Sequence, residues 1–219
     1  MKKEMIQKEP TLKGSNLWGV LVFALLLLID MVTKIVADAY FSQPDAPDKI
    51  ALIEGYLEFC IARNRGISFS LGSTAPMEAK IALVAGTGVL FVVFAAVYFK
   101  ADKRRAWLRW ALVFIVAGGL GNLIDRAYYQ VWDPNTYPAG VRDMVRLKIF
   151  MFDFGVCNFA DFFIVGGAIA LMLSVLFFDG GAVFPLTKKY KALSKEYEER
   201  DEAKKAEKAR KKAEAKKKE

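Results

Sequence analysis

Four apolar windows punctuate the chain, at Leu17–Val36, Ile81–Phe99, Trp107–Ile124 and Phe162–Phe178. Each is about 17–20 residues long, the length an α-helix needs to cross roughly 30 Å of hydrocarbon. The second, IALVAGTGVLFVVFAAVYF, contains no charge. The third carries only Arg109 near its start, within snorkelling reach of an interface. The pattern predicts an all-α membrane protein. A body of four transmembrane helices over 17–179 follows a short N-terminal segment, 1–16, and precedes a polar tail, 188–219. Two longer connections separate the windows, roughly 39–78 and 127–158, mixed in charge and rich in Pro, Gly and aromatics. Within the first, Ile50–Ser70 combines β-branched and aromatic residues with turn signals and predicts a small β-rich cradle.

Charge placement gives the sidedness. Lys2, Lys3, Lys8 and Lys13 precede the first window, Lys100, Lys103, Arg104 and Arg105 join the second to the third, and the basic tail follows the fourth. In a four-span chain these segments share one side, so both termini are expected in the cytoplasm and the two longer connections outside. A cleavable signal peptide ending near Ala37-Asp38-Ala39 is the competing reading of the first window. Asp30 and Lys34 argue against it, because they stand where such a peptide is apolar or small.

The chain of 219 residues carries a formal charge of +8, which would ordinarily suggest nucleic acid or an anionic surface. Lys188–Glu219 alone holds 14 basic and 8 acidic residues, leaving the body nearly neutral at +2. The tail is rich in helix formers but has no continuous apolar stripe, and no aromatic follows Tyr197. It is expected to be a solvated extension, helical or disordered, that fixes orientation; no nucleic-acid partner is expected. The chain has no His, which excludes His-based triads and His-ligated zinc. Two Cys are too few for a Cys₄ site, and Cys60 with Cys157 form either one disulfide or two free thiols.

Polar residues inside the windows are expensive and need a partner or a task. Asp30 and Lys34, four apart, share a helical face and can neutralise each other. With alternating helix directions, Asp30 and Lys34, then Asn122, Asp125 and Arg126, then Asn158 and Asp161 all arrive at one depth near the outer surface. Asp30, Lys34 and Asp125 are read as structural polar residues. Asp161 has no cation within one helical turn, so it needs another segment, a proton or a substrate. Asp133, Asp143 and Asp153 are candidate companions, Asp133 being the one most suited to a turn in Trp132-Asp133-Pro134-Asn135. Gly118-Gly119-Leu120-Gly121 lacks the strand and the Gly-Lys-Ser/Thr of a phosphate loop and predicts close helix packing, as do Gly86 and Gly88.

Four blocks, in order, resemble the bacterial lipoprotein signal peptidases, also called signal peptidase II. They are Asp30-Met-Val-Thr-Lys34, Asn64-Arg-Gly66-Ile-Ser68-Phe69-Ser70-Leu71, Gly118-Gly-Leu-Gly121-Asn122-Leu-Ile-Asp125-Arg126, and Val141-Arg-Asp143-Met144 followed by Asn158-Phe-Ala160-Asp161. The resemblance covers about Leu17–Phe178. It implies an aspartic endopeptidase of the bacterial cytoplasmic (inner) membrane that removes the signal peptide of a diacylglyceryl-modified prolipoprotein just before the lipidated cysteine. The family's catalytic aspartates match Asp143 and Asp161. Asn64, Gly66, Asn122, Arg126 and Asn158 match positions that hold substrate or support the pair. Cys157 stands where the pattern usually has Phe. The stretch between Arg126 and Asp143 is also longer than usual, which makes Asp153 the fallback partner.

Two carboxylates sharing a proton hydrolyse a peptide without His, metal or cofactor, and none of these is expected here. Membrane lipids and prolipoproteins are the expected partners, and the enzyme is expected to be a monomer. Two other readings stay open: a Ser-Lys protease using Ser68, Ser70 or Ser73 with Lys34, and a non-enzymatic transporter or scaffold. Because the pair would lie across the membrane from the tail, truncation after Thr187 is expected to leave catalysis nearly unchanged.

Overall fold

Long apolar runs leave the backbone no partner in lipid except itself, and helices result. In the computed structural model the described residues are 12–66, 75–133 and 135–216. Ser68, Ser70 and Ser73 lie outside them, as do Lys2, Lys3 and Lys8. Helices α1 (Leu12–Phe41), α2 (Met77–Lys100), α3 (Ala106–Tyr128) and α4 (Phe159–Leu176) are each long and apolar enough to cross a membrane. They are not equivalent. The apolar stretch of α3 is 61% buried, against 11%, 6% and 17% for α1, α2 and α4, so α3 is the central helix. Its small residues explain why. A Cβ on Gly118 would lie 2.3 Å from the Ala160 carbonyl oxygen, so only glycine lets α3 and α4 approach this closely. The flanking helices turn Leu21, Leu28, Val92, Val165 and Ile169 outward, as a lipid-facing surface requires. Gly86 departs from the expected close packing: it faces open space, and Gly88 makes only ordinary contact with Leu123.

The molecule is not all-α. Strands β1 (Ile50–Ile53), β2 (Leu57–Asn64), β3 (Val141–Ile149) and β4 (Phe152–Cys157) form one antiparallel sheet in sequential order. The first connection supplies only half of the expected cradle, and the second supplies the rest. In Val141–Ile149 the charges of Arg142, Asp143, Arg146 and Lys148 blur the alternation that marks a strand, and the backbone partner lies far away in sequence. Asp143 pairs opposite Ala62, and Val141 opposite Asn64. Cys60 on β2 and Cys157 on β4 are separated by β3, two strand spacings of about 4.8 Å each. That is too far for a disulfide, and both thiols are free.

The stretch between Arg126 and Asp143 is held down by hydrogen bonds. Asp133 accepts the Asn135 N–H at 2.8 Å in the expected turn, while Arg65 donates to the Thr136 carbonyl at 2.9 Å.

The tail forms helix α5, Lys188–Lys216. Its first turns are docked: Tyr190 and Leu193 are buried, and Tyr190 lies against Phe178. Tyr197 donates to Asp102 at 3.0 Å, and Arg104 bridges Asp102 and Glu196 at 2.9 Å each. From Glu198 to Lys211 every side chain is exposed. The anchor and the arm are thus separable. Truncation after Glu202 is expected to leave the thermal midpoint in detergent unchanged. Truncation after Thr187, or Leu193→Ala at a cost of about 2 kcal/mol, lowers it.

Candidate active site

The cluster beneath the sheet begins with Lys34, whose side chain is wholly buried. An ammonium offers three donors and no acceptor, so its neighbours must all present oxygen. Nζ donates to Asp30 Oδ2 at 2.7 Å and to Asn122 Oδ1 at 2.9 Å, and lies 3.8 Å from Asp125. Asp30 spends its other oxygen on the Ala160 N–H at 2.9 Å, one of the amides that the start of α4 leaves unpaired. This reach across helices needs Gly121, where a Cβ would sit 2.2 Å from Asp30 Oδ2.

Lys34 fixes more than charge. Because Asn122 turns its oxygen to Lys34, its amide nitrogen faces the opposite way and donates to Asp161 Oδ1 at 2.8 Å. Asn158 is the N-cap of α4. Its oxygen accepts the Asp161 N–H at 3.1 Å, and Asp161 Oδ2 in return accepts the Asn158 N–H at 3.0 Å. The Asn158 amide then donates to Asn122 Oδ1 at 3.0 Å and to Asp143 Oδ1 at 2.6 Å. Two asparagines thereby connect Asp143 on the sheet to Asp161 on α4. Burial, and next the charge of Asp161, push the Asp143 carboxyl up to about 7. Hydrogen bonds from Asn158 and Asn64 pull the other way and do not offset this.

Around this pair the remaining expected residues take distinct places. The Asn64 side chain accepts the Gly66 N–H at 2.9 Å, and Arg126 donates to the Gly66 carbonyl at 3.3 Å. Asp125 is held by Arg142, not by its neighbour Arg126: it accepts the Arg142 backbone N–H at 3.0 Å and the guanidinium at 2.7 Å. Arg142 was not singled out from the sequence, although it sits beside Asp143. Its role depends on a carboxylate 17 positions away that the β3 fold brings to it. Asp153 is no alternative partner. It lies exposed on β4 and pairs with Arg146 at 2.8 Å. The Cys157 thiol donates to the Val145 carbonyl at 3.3 Å, and burial, then the charges of Asp161 and Asp143, push it up to about 12. It is an inert neighbour.

The cluster has a charge balance. Asp30, Asp125, Asp143 and Asp161 face Lys34, Arg126 and Arg142, four carboxylates against three cations. A low-dielectric interior favours neutrality, and Asp143, pushed up to about 7, is the carboxyl best placed to carry the balancing proton beside Asp161. Such a pair can act as base through one member and acid through the other. Among the described residues no three His, Cys, Asp or Glu side chains converge as metal ligands would.

Comparison with known proteins gives a consistent outcome. The family described as Signal peptidase (SPase) II matches residues 22–177. A lipoprotein signal peptidase of Treponema pallidum is 30% identical over 183 residues, covering 80% of this chain and 89% of that protein. One from Fusobacterium nucleatum is 27% identical over 168 residues, covering 76% and 90%. A solved structure described as a bacterial membrane enzyme, at 21% identity, covers 73% of this chain and 92% of its own with a TM-score of 0.57, which establishes a shared fold.

The Gly121 contact yields a direct test. Gly121→Ala forces a methyl group into Asp30 and is expected to cost about 1–3 kcal/mol. Gly86→Ala, which meets nothing, is expected to be neutral or slightly stabilising. Thermal unfolding of the two variants in the same detergent compares them.

Proposed function

The chain belongs to the signal peptidase II family, and on that premise we propose that it is a membrane aspartic endopeptidase cleaving signal peptides from diacylglyceryl-modified prolipoproteins just before the lipidated cysteine. The observation that carries this reading is the hydrogen-bonded run from Asp143 through Asn158 and Asn122 to Asp161. The ionised member of the pair takes a proton from water, which attacks the scissile carbonyl. The protonated member donates to the developing oxyanion, and the roles reverse as the amine leaves. No covalent intermediate forms.

Asn122 and Asn158 keep the pair oriented, and Asn64, Gly66 and Arg126 form the adjoining edge against which the substrate backbone lies. Asp161 is half-buried while Asp143 is covered, so substrate approaches from the α4 side. The enzyme sits in the cytoplasmic membrane with both termini inside and the pair near the outer face. Two acyl chains on the substrate cysteine hold that residue at the outer leaflet, at the depth of the pair. A Ser-Lys mechanism is disfavoured because Lys34 is engaged as a donor to Asp30 and Asn122.

Cleavage of a diacylglyceryl-modified precursor by purified protein tests the reading. Asp143→Asn and Asp161→Asn are each expected to abolish it with folding retained, while Asp153→Asn keeps it. Full activity in either of the first two removes that residue from the pair, and a transporter or scaffold predicts that both stay active. A pH profile adds a second check. The raised Asp143 carboxyl keeps its proton below about 7 and loses it above, which leaves both members ionised. Activity is therefore expected to fall as pH rises through about 7. A profile flat from pH 6 to 9 contradicts the shared proton.

A further inference from the structure

The tail helix divides sharply by charge. Ser194–Glu202, the part that meets the bundle, holds 2 basic and 5 acidic residues, net −3, while Ala203–Glu219 holds 9 basic and 3 acidic, net +6. The distal charge is also one-sided. At about 100° per residue, Lys204, Lys205, Lys208 and Lys211 of α5 fall within an arc of about 120°, with Ala203, Ala206 and Arg210 on the other side. All four lysines are exposed. Their acidic contacts stand at the margins of this face: Asp201, one turn back toward the anchor, is 3.8 Å from Lys204, and Glu207 is 2.7 Å from Lys211. Ion pairs this exposed are weak, so both lysines can turn to another anion.

The face starts beside the membrane end of the bundle. Successive turns of α5 rest Tyr190 on Phe178, past the end of α4, and Tyr197 on Asp102, in the turn between α2 and α3. The helix therefore lies across this end of the bundle and does not continue the line of α4. Lys204 follows Tyr197 by seven residues, about 10 Å of rise, which brings the lysine face to the rim where lipid headgroups stand. Arginines of the bundle at this end are engaged inward. Arg104 holds Asp102 and Glu196, and Arg105 holds Asp179. Arg109 does not snorkel to water as its place in the window suggests: it is 5% exposed, lies 4.6 Å over the Tyr98 ring and donates to Asn16 Oδ1 at 2.5 Å.

The chemistry of the arm narrows the partner. From Glu198 onward the only apolar side chain is that of Ala, so the arm has nothing to bury in a protein groove or among acyl chains. It has no aromatic ring on which a nucleobase could stack. A plane of negative charge is touched by one helix face at a time, and these lysines occupy one face. We propose that the distal half of α5 lies on the anionic lipid headgroups around the bundle, held through Lys204, Lys205, Lys208 and Lys211 without insertion. The proposal goes beyond the hydrolytic reading and needs only that the four helices cross a membrane.

The full chain in lipid nanodiscs tests it. Cys60→Ser and Cys157→Ser remove both native thiols, and Ala209→Cys, beside the lysine face, carries a fluorophore. The discs are made of phosphatidylcholine alone or with added phosphatidylglycerol, and both contain the same trace of a lipid with a nitroxide quencher on its headgroup. Quenching is expected to be about threefold or more stronger in the anionic discs at about 0.15 M salt, and to fall to the phosphatidylcholine level at about 1 M, where the Debye length shrinks to about 3 Å. Lys204→Arg, Lys205→Arg, Lys208→Arg and Lys211→Arg together should keep the difference. The corresponding four Glu substitutions should abolish it, with the thermal midpoint in detergent unchanged. Equal quenching in the two discs overturns the proposal, as does a difference that survives the Glu substitutions or the higher salt. Release of the arm from anionic discs by micromolar RNA at the lower salt assigns the face to nucleic acid and overturns the lipid assignment.

Discussion

Lys34 is a full positive charge without access to water, and the arrangement beneath the sheet follows from the need to neutralise it. Removing one partner from a buried ion pair costs about 3–5 kcal/mol, because the other charge is left stranded. Asp30 and Asp125 supply the countercharge from two helices, and Asn122 supplies a neutral oxygen. That last bond has the longest reach. An amide has one acceptor end and one donor end, so a lysine fixed on its oxygen decides where its nitrogen points. In this protein it points at Asp161. A structural ion pair on α1 thereby orients the Asp161 carboxylate on α4 without touching it.

The sheet is bound to the bundle by the same economy of charge. Arg142 clamps Asp125 with both side chain and backbone, and Arg63 pairs with Asp38 at the end of α1. Both guanidiniums lie over the Tyr129 ring, at 5.2 and 4.7 Å. Asp143 is the next residue along the strand that Arg142 holds, so its position is inherited from the clamp. For the proposed hydrolysis, preorganisation of this kind removes the cost of bringing acid and base together. The central helix makes it possible: glycines at 118 and 121 bring α4 and Asp30 within reach of α3.

Much of this was legible before any fold was known. Asp30 and Lys34, one turn apart, announced their pairing, and Asp161 without a nearby cation announced a need for company. The alternation of spans placed three polar groups at one depth. Four features escaped. Arg142 carried no signal because its partner is on another element. The second half of the sheet was hidden by charges that are neutralised only by other elements, Arg142 by Asp125 of α3 and Arg146 and Lys148 by Asp153 of β4. Gly86 looks like Gly118 in sequence and differs only in what faces it. Arg109 looked like a snorkelling residue, but a ring from α2 and an amide from α1 cover it.

The sequence by itself determined that four helices are long and apolar enough to cross a membrane, and which ionisable groups stand at corresponding ends of them. These follow from the cost of moving charge and unpaired backbone into hydrocarbon, a cost that each segment bears locally. Tertiary structure alone decided which carboxylate meets which cation, that Asp143 and not Asp153 stands beside Asp161, and which way Asn122 faces. Hydrogen bonds are short-ranged and directional, so those choices exist only once α3, α4 and β3 have brought distant residues within 3 Å of one another.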